Sequence, residues 1–290
     1  MKFLQYWDDN KIRLAILQAN HMIPLAKLGM SLPGDMKSLI RSGDAILKTL
    51  ESALHNYKGV VMRTKDIAWA VPITNPGKFL CLGLNYVNHA KEGNNATTEH
   101  PTIFLRTPTS FSAHLQSLIV PRVSSKLDYE AELLVVIGKT AKYLTHENAL
   151  DVVWGYSLFN DGSIRSHQNR TSQWALGKNF DQTGGFGPWI VTADELPPGG
   201  DGLDIQMRLN GHVMQSANTR DMLFDVRTTL VEITECMTLQ PGDCISMGTP
   251  AGVGYARNPP VFMQPGDVAE VKIEGVGTLR NTIALETEVR

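Results

Sequence analysis

The alternation of apolar and polar residues predicts a small structural unit near the amino terminus. The segments "KFLQYW" (2–7) and "KIRLAILQANHMIPL" (11–25) have the form of a strand followed by a hairpin. In the segment 36–57, apolar residues recur with the spacing of a helix, at Leu39, Ile46, Leu47, Leu50 and Leu54. The segment "VPITNPGK" (71–78) contains two prolines and a glycine, which is typical of a linker. We therefore expect a small N-terminal α/β domain over residues 1–75.

The pattern changes at Lys78, where short runs of strand-forming residues begin and turn signals separate them. The runs are "FLCLGLNY", "TIFLRT", "YEAELLVVIG", "WGYSLFN", "DIQMRLNG", "DCISMGTP" and "DVAEVKIEG". Two helices are expected among them, at 145–153 and at 221–238. Residues 76–290 are therefore predicted to form one β-rich α+β domain, built as two packed sheets or a roll.

The composition narrows the class of protein. Hydrophobic residues make up 42% of the chain and charged residues 19%, as in ordinary globular proteins. A net charge of −2 and the lack of any Lys/Arg run argue against nucleic-acid binding. The three cysteines form no C-x-x-C pair, and neither a signal peptide nor an apolar stretch of about 20 residues is found. We expect a cytoplasmic protein that does not enter a membrane.

Three carboxylates lie in or at the ends of predicted strands. Glu130 and Glu132 form an E-x-E pair, whose side chains share one face of a strand, and Asp161 ends "GYSLFND". Carboxylate oxygens are the ligands that Mg²⁺ prefers, so this set could hold a hard cation and leave positions open for a substrate. The alternative is that the two glutamates pair with Lys126 or an arginine, or face solvent on an edge strand.

A histidine and a glutamate follow the first of these strands. His89 and Glu92 are three residues apart in "LNYVNHAKEGNN", so on a helix they would be neighbours. Such a pair could activate water as a general base. The alternative is an exposed histidine at the start of a helix with a routine ion pair. The polar segment 92–100 has the composition of a lid.

Lys178 lies in "QWALGKNFDQTGGFGPW", among glycines and aromatic residues, where it could stabilise an enolate or carboxylate oxygen or be a surface charge. Further polar candidates on predicted loops are Arg106, Arg165, Gln168 and Thr249. The run "GTPAGVG" lacks the G-K-[ST] ending of a P-loop, and the chain has no G-x-S-x-G elbow and no zinc-type His or Cys spacing. Nucleotide, serine-nucleophile and zinc chemistry are therefore not supported.

Taken together, the motifs resemble the fumarylacetoacetate hydrolase family over about residues 78–285, roughly seventy per cent of the chain. The matching segments occur in order: "KFLCLGLNYVNHAKE", "PTIFLRTPTSF", "LDYEAELLVVIGK", "GYSLFNDGSIRSHQ", "QWALGKNFDQTGGFGPWIVTADEL", "NTRDMLF", "MTLQPGDCISMGTPAGVG" and "PGDVAEVKIEGVGTLRN". The chain departs from the pattern at Gly162 and Ser166, where many members have an apolar residue and an acid, and in the glycine-rich loop after Lys178.

The resemblance implies a mixed β-sandwich roll that binds Mg²⁺ or Mn²⁺ through Glu130, Glu132 and Asp161. It further implies that His89 and Glu92 form a catalytic dyad on a short lid helix. Members are typically homodimers acting on small 2-oxo or 2,4-dioxo acids.

For the remaining candidates, the resemblance implies that Lys178 stabilises an enolate or oxyanion beside the metal. Arg106, Arg165, Gln168 and Thr249 would hold the carboxylate and keto oxygens of the substrate. A dication held by three carboxylates leaves a net charge of about −1, which the lysine and the arginines would offset.

Two enzyme activities and one non-enzymatic role follow as hypotheses. The first is metal-dependent hydrolysis of a C–C bond in an acylpyruvate-type 2,4-dioxo acid, as in aromatic-compound catabolism. The second is isomerisation or decarboxylation of a 2-hydroxymuconate-like or oxaloacetate-like acid at the same site. The third is a non-catalytic β-sandwich that binds a metal for structure or a small ligand for sensing, in which replacing His89 would leave function intact.

Overall fold

The protein is described by a computed structural model over residues 1–19, 21–92 and 98–287. Of the predicted lid segment, residues 93–97 lie outside the described residues. The helices are α1 Met36–Arg41, α2 Asp44–His55, α3 Val87–Glu92, α4 Arg165–Gln168, α5 Ala175–Lys178 and α6 Val226–Cys236. The strands are β1 Lys2–Asp8, β2 Lys11–Gln18, β3 His21–Pro24, β4 Met62–Arg63, β5 Ala68–Ala70, β6 Phe79–Gly83, β7 Thr102–Leu105, β8 Phe111–Ala113, β9 Leu118–Val120, β10 Leu127–Asp128, β11 Ala131–Ile137, β12 Val153–Asn160, β13 Ser163–Ile164, β14 Gly184–Thr192, β15 Asp204–Leu209, β16 His212–Asn218, β17 Cys244–Ser246, β18 Val268–Ile273 and β19 Gly277–Leu285.

The strands form one large mixed sheet and one smaller sheet. Within the described residues the large sheet runs in the order β4-β3-β2-β1-β14-β12-β11-β17-β6-β7, with β5 on β1 and β8 on β14. The smaller sheet runs in the order β16-β15-β18-β19-β9, and β10 pairs with β13. The prediction of a β-rich α+β fold is confirmed, and the order of strands does not close into a barrel.

Strand β11 contributes side chains to two hydrophobic cores, one on each of its faces. All seven residues of "AELLVVI" are buried, and successive side chains point to opposite faces. Leu133, Val135 and Ile137 pack in the core that contains the smaller sheet. Leu134 and Val136 pack on the other face, in the core that contains α1. A strand buried on both faces is expected to be a nearly continuous apolar run, and in β11 only Glu132 interrupts it.

The large sheet extends through the segment that was predicted to be a separate domain. Strand β1 pairs antiparallel with β14, so that Lys2 lies opposite Val191 and Phe3 opposite Ile190. Phe3 also lies in the same apolar core as Leu134. The division into domains 1–75 and 76–290 stays a prediction, and any boundary there must cross a hydrogen-bonded sheet.

Two of the expected helices differ from the prediction. The prediction of a helix at 145–153 is wrong. Only a 3-10 turn forms at Ala149–Val152, and Val153 already begins β12. The Asn148 side chain accepts a hydrogen bond from the Thr145 amide, which favours a turn over a helix. The helix expected at 221–238 is confirmed in shorter form as α6, which begins after Asp225, whose side chain caps it.

None of the helices in the described part of the chain combines the length and the apolar character that a membrane crossing requires.

Candidate active site

The antiparallel pairing of β11 with β12 places three acidic side chains together. Ala131 lies opposite Asn160, so Glu130, just before β11, is beside Asp161, just after β12. The Asp161 amide donates to the Glu130 carbonyl at 2.9 Å. Glu132 is two residues further along β11, and one carboxylate oxygen from each acid lies within 4.8 Å of the others. All three side chains are buried, so the alternative of a solvent-facing edge does not hold.

Two basic side chains contact Glu130. Lys178, the last residue of α5, places Nζ 2.6 Å from Glu130 Oε2 and 2.6 Å from Asp161 Oδ2. Arg165, the first residue of α4, places Nη2 2.6 Å from Glu130 Oε1 without the alignment of a hydrogen bond, so this contact is electrostatic. Burial would raise the pKa of Glu130, but Lys178 and Arg165 outweigh it and hold the pKa well below its usual value.

Glu132 has a different environment. Its Oε2 accepts from Ser246 Oγ at 2.5 Å and from the Gly248 amide at 3.1 Å, whereas Oε1 receives no hydrogen bond from the described residues. Burial and the nearby carboxylates of Asp161 and Glu130 raise the pKa of Glu132 well above its usual value. Glu132 forms no ion pair in the described part of the chain, and the attraction of Lys178 is outweighed by burial and by the two neighbouring carboxylates.

A divalent cation fits this set of residues. The ligands are hard carboxylate oxygens, they converge, and one of them has a free oxygen and unbalanced charge. With every carboxyl group ionised, the site would hold four negative charges against three positive ones: the acids are Glu130, Glu132, Asp161 and the neighbouring Asp128, and the bases are Lys178, Arg106 and Arg165. A bound dication would reverse the sign of this excess and make the site suited to an anionic acid.

Helix α3 places a histidine on the same cavity. His89 Nδ1 lies 2.8 Å from Glu92 Oε1, and the Gly252 amide donates to Glu92 Oε2 at 2.8 Å. His89 is only 6% exposed, so the alternative of an exposed helix-start histidine does not hold. With Nδ1–H donating to the carboxylate, Nε2 is the ring nitrogen left to accept a proton.

The cavity encloses about 230 Å³ and brings most of the predicted site residues together. The predicted residues that line it are His89, Glu130, Glu132, Arg165, Gln168, Lys178 and Thr249. The rest of its lining is largely apolar or aromatic: Leu82, Gly83, Leu84, Phe104, Asn169, Trp174 and Tyr255. The predicted set therefore occupies one charged side of a cavity that has a second, apolar side.

Three of the predicted site residues are not part of the cavity lining: Arg106, Asp161 and Glu92. Arg106 is 3% exposed and donates through Nη1 to Asp161 and to the Gly162 carbonyl, and through Nη2 to Thr183 Oγ1 at 3.0 Å. These contacts hold the side chain of Asp161, one of the candidate metal ligands, in position. The substrate contact expected of Arg106 stays a prediction.

Thr249 and Gln168 are on the cavity wall, and both make buried hydrogen bonds. Thr249 Oγ1 donates to the Ala131 carbonyl at 2.9 Å and joins the loop after β17 to the start of β11. Gln168 Oε1 accepts from Arg165 Nη1 at 2.7 Å. Both side chains therefore hold neighbouring site residues in place as well as facing the cavity.

Two site residues escaped the sequence reasoning. Asp128 is fully buried, accepts from Arg165 Nε at 2.8 Å and from the Gly254 and Tyr255 amides, and so ties Arg165 to the loop after β17. Its place in "LDYEAE", two residues before Glu130, was an available signal. Ser246 gave no signal, because its partner Glu132 is 114 residues away in sequence.

Gly248 allows the loop after β17 to approach Glu132. Its φ is +82°, and a Cβ atom there would lie 2.8 Å from Asn85 Cβ. Asn85 in turn donates to the Met247 carbonyl at 2.8 Å. A larger residue at 248 would push the loop, and the amide that serves Glu132, out of place.

This fold and this site define a class of protein. The family model for the fumarylacetoacetate (FAA) hydrolase C-terminal domain matches residues 78–284, and the chain belongs to this family.

Named relatives extend beyond that segment. The chain is 36% identical over 289 residues to the oxaloacetate tautomerase fahd2, mitochondrial, of Xenopus laevis, covering 98% of this chain and 90% of that protein. The fumarylacetoacetate hydrolase of Exiguobacterium antarcticum has the same fold, with a TM-score of 0.83, 34% identity and coverage of 99% and 100%. The maleylpyruvate hydrolase of Sphingobium sp. SYK-6, solved with manganese(II) and pyruvate, gives a TM-score of 0.83 at 27% identity, covering 99% and 100%.

Proposed function

We propose that the chain catalyses keto–enol interconversion of a small 2-oxo acid of the oxaloacetate type, with a divalent cation held by Glu130, Glu132 and Asp161. The observation that carries the proposal is the placement of this buried acidic cluster and of His89 on one cavity. From the sequence, hydrolysis is expected ahead of isomerisation. The order is reversed here because the relative named a tautomerase is 36% identical over nearly the whole chain, whereas the two hydrolases reported above are 34% and 27% identical.

A divalent cation at these carboxylates would draw electrons from the keto and carboxylate oxygens of the acid and make the adjacent carbon acidic. His89 Nε2 then accepts the proton from that carbon, and Glu92 stabilises the imidazolium through Nδ1. Lys178 Nζ donates to the oxygen that gains charge. His89 returns the proton to that oxygen, so one C–H bond breaks and one O–H bond forms without any net loss of atoms.

Arg165 and Gln168 are proposed to bind the second carboxylate of the acid. Both line the cavity, and their mutual hydrogen bond at 2.7 Å sets the guanidinium plane relative to the amide. Asp128 holds Nε of Arg165 from behind at 2.8 Å. Nη2 lies 2.6 Å from Glu130 Oε1 but makes no hydrogen bond among the described residues, so it is the nitrogen proposed to donate to the carboxylate of the acid.

The second candidate activity is hydrolysis of a 2,4-dioxo acid. The observation that favours it is the buried His89–Glu92 pair, which could instead deprotonate a water molecule aimed at the distal carbonyl. The C–C bond between the acyl carbonyl carbon and the adjacent methylene carbon would break. Water would supply OH to the acyl product, and the proton taken up by His89 would go to the methylene carbon of the departing pyruvate. The solved relative with manganese(II) and pyruvate supports this candidate.

The test is to incubate the purified protein, with and without Mg²⁺ or Mn²⁺, with enol oxaloacetate, acetylpyruvate and fumarylpyruvate. The proposal predicts metal-dependent loss of enol absorbance from oxaloacetate above the spontaneous rate, without CO₂ or pyruvate. Pyruvate plus a second acid from a dioxo acid would select hydrolysis instead, and CO₂ would select decarboxylation.

Replacement of the histidine separates an enzyme from a non-catalytic metal binder. His89→Gln should abolish turnover, whereas His212→Ala, on an exposed position of β16, should leave it unchanged. No turnover of any acid by the wild-type protein, with either metal, would contradict both enzyme proposals and leave the non-catalytic role.

Four finer expectations belong to the same proposal. The cation is Mg²⁺ or Mn²⁺, of which Mn²⁺ is present in the solved maleylpyruvate hydrolase. The chain forms a homodimer, which size-exclusion chromatography with light scattering would test. It acts in aromatic-compound catabolism if the hydrolase candidate is correct. A cytoplasmic location stays a prediction, since the tautomerase relative is named as mitochondrial.

A further inference from the structure

The cavity has an aromatic wall that the proposed chemistry does not use. Phe104 from β7 and Trp174, directly before α5, line it together, with ring centroids 5.6 Å apart and planes at 71°. Lys178 Nζ lies 5.0 Å from the centroid of Phe104. The wall therefore includes one ring beside the ammonium group and a second ring in contact with the first.

Trp174 is held against the backbone of β6. Gly83, the last residue of that strand, has no side chain to separate the two: a Cβ atom there would lie 2.1 Å from the indole ring. Phe104, on the neighbouring strand, meets the indole edge-to-face. The indole is therefore fixed from two sides, and it cannot withdraw toward β6.

Trp174 is also linked to the charged side of the cavity. Its carbonyl accepts from the Lys178 amide at 3.2 Å and from the Gly177 amide at 2.9 Å. One short helical turn thus presents the indole and the ammonium group to the same cavity. A substrate whose carboxylate and keto oxygens are bound near Lys178 would place the rest of its carbon chain against the indole.

We propose that Trp174, placed against Gly83 and Phe104, is a specificity-determining residue that restricts the enzyme to 2-oxo acids with a short group beyond the keto carbon. This inference rests on the proposed function for the orientation of the acid, with its head toward Glu130, Glu132 and Lys178. Acids with an aromatic or long acyl group would overlap the indole. Removing the indole would open the cavity along the Phe104 wall, which is apolar and suited to a ring.

The test measures binding separately from turnover. Calorimetric titration of the Mn²⁺-loaded protein with pyruvate and with phenylpyruvate compares two acids that share the head and differ only in the group beyond it. The wild-type protein should prefer pyruvate. Trp174→Ala should shift the ratio of the two dissociation constants toward phenylpyruvate by about tenfold or more, a size typical of pocket-shape discrimination.

Two further variants sharpen the result. Trp7→Ala removes a tryptophan that is 45% exposed on β1 and should leave the ratio unchanged. Gly83→Ala should change the ratio in the presence of Trp174, because its methyl group would displace the indole, and should have a smaller effect in the Trp174→Ala background. Additive effects of the two substitutions would contradict the role given to Gly83.

The outcomes distinguish this inference from the function on which it rests. If Trp174→Ala binds pyruvate normally and the ratio does not move, the inference is overturned and the proposed function stands. If the wild-type protein binds both acids but turns over neither oxaloacetate nor phenylpyruvate, the proposed function fails while the ratio still decides the inference. If neither acid binds the Mn²⁺-loaded protein, both are overturned.

Discussion

Two buried carboxylates at opposite ends of β17 have opposite surroundings. Asp243, just before the strand, is fully buried and accepts from the Lys78 amide at 2.9 Å, from Lys78 Nζ at 2.9 Å and from the Gln240 amide at 2.9 Å. Glu132 meets the other end of the strand, where Ser246 and Gly248 serve one oxygen and the described residues leave the other without a donor.

The difference separates a structural acid from a functional one. Asp243 has a cation and donors on both oxygens, which is the condition under which a buried charge is tolerated. Glu132 has two like charges nearby and an unserved oxygen, so its environment is unfavourable until a cation arrives. Burial alone therefore does not distinguish Glu132 from Asp243; the missing partner of Glu132 does.

The largest effect is expected when Glu132 is replaced. Glu132→Gln keeps the shape of the side chain but removes the charge that would hold the cation. Metal-dependent turnover should fall about a thousandfold or more, because a cation that stabilises charge in the transition state supplies several kcal/mol. The free energy of unfolding of the metal-free protein should not decrease. Steady-state rates and urea unfolding of the same preparations check both statements, and a variant that keeps its rate would refute the assignment.

Asp243→Asn should show the converse pattern. It removes the charge partner of Lys78 and an acceptor for partly buried backbone amides, and should lower the free energy of unfolding by about 2–3 kcal/mol. Mn²⁺ affinity of the folded protein should be unchanged. Urea unfolding combined with Mn²⁺ titration measures both, and weakened Mn²⁺ binding in this variant would erase the contrast between the two acids.

A smaller effect is expected at Ser246, whose hydroxyl orients Glu132. Ser246→Ala should weaken Mn²⁺ binding about tenfold, the usual cost of losing a side chain that orients a ligand. Ser157→Ala is a matched control. Ser157 and Ser246 both lie opposite Leu134 on the strands that flank it, and Ser157 Oγ donates to the Trp189 carbonyl instead. Equal Mn²⁺ affinities of the two variants, read from Mn²⁺ electron paramagnetic resonance, would show that Ser246 does not position the ligand.

A fourth effect concerns how the free energy of unfolding of the metal-free protein depends on pH. The pKa of Glu132 is raised in the folded state, so the folded chain keeps this proton at pH values where the unfolded chain, with its ordinary pKa near 4.5, has lost it. Stability from this group is therefore highest at low pH and falls as pH rises above about 4.5, by up to about 1.4 kcal/mol per pH unit. The difference in unfolding free energy between the wild-type protein and Glu132→Gln should follow that decline between pH 5 and 8; a difference independent of pH would contradict the raised pKa.

Whether a site residue can be predicted from the sequence depends on how far along the chain its interaction partner lies. The E-x-E pair could be found because strand alternation is local, and Asp161 because it ends a recognisable strand. In the sequence, Asp243 is recognisable only as part of the turn signal "PGD", because its partner Lys78 is 165 residues away. Ser246 depended on the register of β17 against β11, which no local pattern specifies. The helix predicted at 145–153 does not form, because local side-chain hydrogen bonding favours a turn.

The most direct test of the central claim is an anomalous difference map from crystals of the protein grown with Mn²⁺ and measured at the manganese absorption edge. We expect a peak at about 2.1 Å from one oxygen each of Glu130, Glu132 and Asp161. We also expect that the Lys178 ammonium moves off the line between Glu130 and Asp161. A protein that binds Mn²⁺ elsewhere, with Lys178 still bridging the two acids, would contradict the claim.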